Sequence, residues 1–120
     1  MVKVLVVDDS PTEIYQFKSM LESLGFDVIT ADNGRDGVAL ARDEQPDCVL
    51  MDIVMPDMNG FQATRQISRG ESTSHIPVII VSSKNQETDK VWGERQGARG
   101  YITKPVDQPE LVAIMKQVMS

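Results

Sequence analysis

The sequence predicts an α/β protein built on a doubly wound parallel sheet, and three observations carry that expectation. Short runs rich in Val and Ile alternate with longer amphipathic stretches five times along the chain. Turn residues follow each run, the pattern of a strand buried on both faces of a parallel sheet. The length of 120 residues suits one domain whose own core needs no disulfide or structural metal.

The first strand is read at Lys3–Asp8. Ser10 and Glu13, spaced as a capping box around Pro11 at the first helical position, open the first helix. Ile14, Phe17, Leu21 and Leu24 then fall on one face, and Gly25 supplies the stop. A second strand at Asp27–Ala31 precedes a helix from about Gly34 to Glu44 that turns Val38, Leu40 and Ala41 inward. The third strand, Asp47–Met51, leads to a helix over about Gly60 to Ser68, where Phe61, Thr64 and Ile67 recur at helical spacing. A polar loop from Gly70 to His75 leads through Pro77 to the fourth strand, Val78–Ser82. The fourth helix, about Gln86 to Gln96, carries Gly93, which costs about 1 kcal/mol relative to Ala and is expected to leave the helix soft. Val91 and Trp92 are expected to pack in the core; an exposed Trp92 would instead point to a partner contact. The fifth strand is Gly100–Thr103. The last helix starts at an Asp107 N-cap, with Glu110 three residues on, and presents Leu111, Ile114, Met115 and Val118. Five strand–helix alternations with right-handed crossovers make the expected architecture the flavodoxin-like doubly wound sheet.

Composition narrows the function classes. The chain is 41% hydrophobic and 25% charged, ordinary for a globular protein and too apolar for a disordered one. Its net charge of −6 argues against nucleic acid and anionic membrane surfaces, which select a basic face. No apolar run approaches the roughly 18 residues that span a bilayer. No signal peptide is read either, because Lys3 and Val4-Leu5-Val6-Val7 run straight into acidic residues. The single cysteine, Cys48, can form no internal disulfide and no thiolate zinc cluster. The expectation is one cytoplasmic domain over residues 1–120, with no linker, no repeat and no output domain after Ser120.

In open α/β sheets, ligands bind beyond the carboxyl ends of the strands, where strand order reverses. Asp8 and Asp9 follow the first strand, and Asp52 follows the third. Ser82, Ser83 and Lys84 stand at the end of the fourth, with Thr103, Lys104 and Pro105 at the end of the fifth. Three carboxylates on one rim are costly, since two unit charges about 4 Å apart repel by about 4 kcal/mol at an effective dielectric near 20. Lys104 offsets part of that cost, and a divalent cation offsets more. Mg2+ suits such a site because it prefers carboxylate, carbonyl, water and phosphate oxygens in octahedral geometry. One carboxylate would then be a nucleophile toward phosphorus, the metal and Lys104 would neutralise oxygen charge, and a hydroxyl would report the result.

Val7-Asp8-Asp9-Ser10, Met51-Asp52-Ile53-Val54-Met55-Pro56, Val81-Ser82-Ser83-Lys84 and Thr103-Lys104-Pro105 together resemble the signature of response-regulator receiver (CheY-like) domains, in order and over the whole chain. Val7–Glu13, Asn59–Gln66 and Gln86–Gly93 are similar to one subgroup, the single-domain PilH-type regulators of the chemotaxis-like system for type IV pili and twitching motility. The resemblance implies strand order 2-1-3-4-5 and phosphorylation of Asp52 by a chemotaxis-type histidine kinase. It also implies Mg2+ bound by Asp9, Asp52 and the Val54 backbone carbonyl, with Asp8 acting through water. Ser82 takes the switch-hydroxyl position, Tyr101 the switch-aromatic position, and Lys104 pairs with the phosphoryl group. Lys104-Pro105 is expected to be cis, with Pro105 structural. Val54, Ser83 and Lys84 are assigned as modulators of water access. An apolar Val54 departs from the polar residue many receivers carry there, which leaves the rate of self-dephosphorylation open. A monomer signalling to a protein target through the face of the fourth helix, fifth strand and last helix is implied, with no enzymatic turnover beyond self-catalysed phosphotransfer and dephosphorylation.

Plainer readings stand beside these. An Asp-Asp pair alone is usually a solvated strand end, and Ser82 and Ser83 alone would be loop-capping residues. Cys48 reads as an inert core residue, His75 as surface, and Met51, Met55 and Met58 as gap-fillers. A phosphate sink, or a receiver of another chemotaxis-like pathway, remains open. Asp-nucleophile Mg2+ phosphatases carry a second Asp where this chain has Val54. A nucleotide or flavin carrier would need a glycine-rich first turn that Asp8-Asp9-Ser10-Pro11 does not supply.

Overall fold

In the computed structural model, which describes residues 1–120, strands and helices alternate from end to end. They run β1 (Lys3–Val7), α1 (Pro11–Ser23), β2 (Asp27–Ala31), α2 (Gly34–Glu44), β3 (Cys48–Met51), α3 (Gly60–Arg69), β4 (Val78–Ser82), α4 (Glu87–Arg95), β5 (Gly100–Thr103) and α5 (Gln108–Met119). All pairings are parallel, and the order across the sheet is β2-β1-β3-β4-β5. This is the expected flavodoxin-like, doubly wound topology. Order reverses at β1, where Val7 faces Ala31 on one side and Met51 on the other. The carboxyl ends of β1 and β3 are therefore neighbours, and the residues just past them share one crevice.

Side chains alternate across each strand and so divide the interior into two layers. Val4, Val6, Cys48, Leu50, Ile79, Val81 and Ile102 meet Phe17 and Leu21 of α1 and Leu111 and Met115 of α5. On the opposite face Leu5, Val7, Val49, Met51 and Val78 meet Ala41 of α2 and Ala63 and Ile67 of α3. Strands buried on both faces explain why their sequences read as continuous apolar runs. No helix is long and apolar enough to cross a membrane.

Four expectations need correction. The Ser10–Glu13 box is half-formed: Glu13 N–H donates to Ser10 Oγ at 3.3 Å, but Ser10 N–H donates to Asp8 Oδ1 at 2.9 Å, leaving the Glu13 carboxylate free to turn elsewhere. Leu24, at the end of α1, is exposed, because the chain leaves the core face at the Gly25 turn, where φ is +92°. Trp92 is 49% exposed and Val91 is also exposed, so neither is a core residue. The residue α4 buries is Gly93, where a β-carbon would lie 2.7 Å from Ile80 Cδ1. A helix that approaches the sheet through its glycine leaves its larger neighbours on the flanks. Strand and helix boundaries otherwise move by a residue: β1 ends at Val7, β3 begins at Cys48, α3 runs on to Arg69, and α4 spans Glu87–Arg95.

Candidate functional site

Asp8, Asp9 and Asp52 each bring a carboxylate oxygen to within 4.8 Å of the others. Two of the three are buried, Asp8 at 2% and Asp52 at 8% exposure, while Asp9 is open to solvent. Backbone bonds hold them there. Asp52 N–H donates to the Val7 carbonyl at 2.9 Å and Asp8 N–H to the Ala31 carbonyl at 3.1 Å, continuing the sheet ladder one residue beyond its strands. The loop after Asp52 is closed by Gly60 N–H donating to the Ile53 carbonyl at 2.9 Å. An Asn59–Gln62 capping box then starts α3, with both of its bonds at 3.0 Å.

Lys104 reaches into the same crevice from the end of β5. Its Nζ lies 3.2 Å from Asp8 Oδ2, 3.2 Å from Asp52 Oδ1, and in hydrogen-bond contact with Glu13 Oε2. All three ammonium donors thus face carboxylates. Burial pushes Asp8 up to about 6, assisted by the Asp52 charge and opposed by Ser10 N–H and Lys104. Burial also raises Asp52, with Lys104 pulling the other way. Burial would raise Glu13 too, but hydrogen bonds from Lys104 and Asp8 and the Lys104 charge together hold it below its ordinary value. Lys104 is raised although burial opposes it, because Glu13, Asp52 and Asp8 surround the ammonium. One lysine shared by three acids, with Asp9 beside them, leaves a negative excess. An all-oxygen set of converging anionic donors is the chemistry a hard divalent cation requires, so the residues present fit such an ion.

The hydroxyl side of the crevice is also assembled. Ser82 is buried, and its Oγ accepts from Lys84 N–H at 3.1 Å. Tyr101 Oη donates to the Lys84 carbonyl at 2.7 Å. Ser83 and the Lys84 side chain are exposed, and Val54 is 60% exposed. The Lys104–Pro105 peptide is cis. Cys48 is buried, its thiol pushed up to about 12 by burial, and His75 is exposed, so neither belongs to the site. The largest cleft, about 720 Å³, lies between α2 and α3 beside Arg35, Arg65 and Arg69, and contains none of the three aspartates. Sequence reasoning missed Glu13. Its one available signal was position: four residues after Asp9, one helical turn returns it to the same end of the sheet.

Comparison with known proteins accounts for this arrangement. Residues 4–116 match the response regulator receiver domain. Over 120 residues the chain is 62% identical to Protein PilH of Pseudomonas aeruginosa, covering 100% of this chain and 99% of that protein. The fold superposes on the chemotaxis protein CheY4 of Vibrio cholerae with a TM-score of 0.92 at 29% identity, over 98% of both chains. It is also similar to the receiver domain of a Pseudomonas aeruginosa sensor histidine kinase, with a TM-score of 0.90 at 29% identity, over 98% of this chain and 97% of that one. That receiver was solved with a magnesium ion coordinated in its active site cleft. Sequence, topology and the acidic crevice agree: the chain belongs to the response regulator receiver domain family.

Proposed function

We propose that Asp52 accepts a phosphoryl group from a chemotaxis-type histidine kinase, and that phosphorylation switches the binding of a protein partner in control of type IV pili and twitching motility. The observation that carries this reading is the convergence of Asp8, Asp9 and Lys104 on a buried Asp52. In it, Asp9, Asp52 and the Val54 backbone carbonyl would hold Mg2+, with Asp8 acting through water, and the ion would neutralise oxygen charge on the phosphoryl group in transfer.

Each residue then has a task. An Asp52 carboxylate oxygen attacks phosphorus as the bond to the donor imidazole nitrogen breaks, and that nitrogen leaves with the electron pair. Lys104, already at hydrogen-bond distance from Asp52, donates to a phosphoryl oxygen. Ser82 Oγ, whose present bond is a single backbone amide, turns to donate to another. Tyr101 leaves the Lys84 carbonyl and fills the space Ser82 vacates, which reshapes the face of α4, β5 and α5. The exposed Val54 side chain offers a nearby water no hydrogen bond, so it does not help to position a water for self-dephosphorylation. The chain works as a cytoplasmic monomer. A reading as a turnover phosphatase lacks the second acid that Val54 replaces.

The test is incubation with acetyl phosphate and Mg2+, read by intact mass. One phosphoryl group on the wild type and none on Asp52→Asn is the expected result. Equal labelling of both would move the acceptor to another residue.

A further inference from the structure

The contact between Glu13 and Lys104 gives the site a property its three aspartates do not. Glu13 lies outside the converging aspartate cluster, yet its Oε2 meets the Lys104 ammonium in the shared network. Lys104 is only 15% exposed there, and Glu13 flanks it on the solvent side at 35%. Were a dication to occupy the aspartate cluster, Asp8 and Asp52 would be engaged with it, and Glu13 would remain as Lys104's own partner. The site would then hold four carboxylates against one ammonium and one dication, an excess of one negative charge at the entrance.

We propose that Glu13 is a specificity-determining residue: by neutralising Lys104 it disfavours small anionic phosphodonors and leaves phosphorylation to a protein donor that brings its own docking energy. The inference rests on the reading of Asp52 as phosphoacceptor and adds to it the class of donor. In each case Asp52 oxygen forms the new bond to phosphorus. The P–O bond of an acyl phosphate breaks to release acetate, or the P–N bond of phosphoramidate breaks to release ammonia, which carries the proton already on nitrogen. What Glu13 changes is the charge each donor meets on approach.

The test exploits donor charge. Near pH 7 acetyl phosphate is a dianion and phosphoramidate a monoanion. Removing one unit of negative charge about 6 Å away, in water-like dielectric, speeds a dianion by about tenfold and a monoanion by about threefold. Glu13→Gln, assayed at a Mg2+ concentration shown by titration to saturate each protein, is therefore expected to raise the acetyl phosphate rate relative to phosphoramidate by about threefold at low salt. The gain should vanish near 1 M salt, where the screening length falls to about 3 Å. Glu13→Asp, which keeps the charge, should stay near the wild-type ratio. An unchanged ratio, an equal change for both donors, or a change indifferent to salt overturns the proposal while leaving Asp52 as acceptor. Absence of phosphorylation of both the wild type and Glu13→Gln by either donor overturns the acceptor reading itself, and the proposal with it.

Discussion

A β-carbon on Gly60 would fall on the backbone carbonyl oxygen of Asp52 and lie 2.8 Å from the Ile53 Cα. The first residue of α3 is thus pressed against the backbone that carries the central carboxylate, and its own N–H donates to Ile53. Backbone cannot step aside as a rotamer can. Gly60→Ala is expected to destabilise the fold by about 3 kcal/mol, the upper part of the overpacking range. Urea denaturation measures this, and a loss below about 1 kcal/mol would show that the loop yields easily.

Gly93 meets a softer obstacle. A β-carbon there would lie 2.7 Å from Ile80 Cδ1, the far end of a flexible side chain. Alanine gains about 1 kcal/mol of helix propensity but must displace that methyl. Gly93→Ala alone is expected to be destabilising by about 1 kcal/mol, because overpacking outweighs propensity. In an Ile80→Val background, where Cδ1 is gone, the same change should become neutral or stabilising. Equal effects in both backgrounds, read from denaturation midpoints, would exclude steric coupling.

Asp8 predicts a pH dependence whose sign follows from its shift. Burial raises it from 3.8 to about 6, so between those values the folded chain binds more protons than the unfolded one. The contribution is full below about pH 4 and is lost as the pH rises through about 6. Without divalent cations, Asp8→Asn should flatten this part of the stability curve and raise stability near pH 7 by about 1 kcal/mol. The full shift sets a ceiling of about 3 kcal/mol, reduced because Asn gives up the Lys104 contact. Thermal denaturation in EDTA at two pH values checks the slope. The same variant should lose any stabilisation by Mg2+, since one of the three converging carboxylates is gone.

Trp92 is half exposed and meets Phe61 edge-on, with ring centroids 6.5 Å apart and planes at 77°. Trp92→Ala is expected to cost about 1 kcal/mol, the range of an aromatic pair rather than of a core residue. A loss of about 3 kcal/mol or more, as a buried Trp would give, would contradict this placement. Binding of a protein partner at the α4 face should fall far more than stability does.

How much of this was legible depended on whether a residue's role is set by its neighbours in sequence or across the fold. The runs at Val4–Val7 and Val78–Val81 announced buried strands because both faces of the sheet are covered. Asp8, Asp52 and Lys104 were legible because each stands at a strand end, and strand ends of a parallel sheet share one side. Glu13 was misread because its spacing from Ser10 satisfies a local motif, while the partner that claims its carboxylate comes from the end of β5. Trp92 was misplaced for a related reason. Periodicity shows that a helix has an apolar side, but Gly93, invisible to hydrophobic counting, decides which side approaches the sheet.

Lys84 holds the hydroxyls of Ser82 and Tyr101 with its main chain alone, its amide donating to Ser82 Oγ and its carbonyl accepting from Tyr101 Oη. A tether made of peptide groups does not depend on which side chain it bears. Position 84 is therefore free to change its outward chemistry without unfastening the two hydroxyls, and proline, which has no amide hydrogen to give, is the residue type that would release Ser82 while keeping the carbonyl that holds Tyr101.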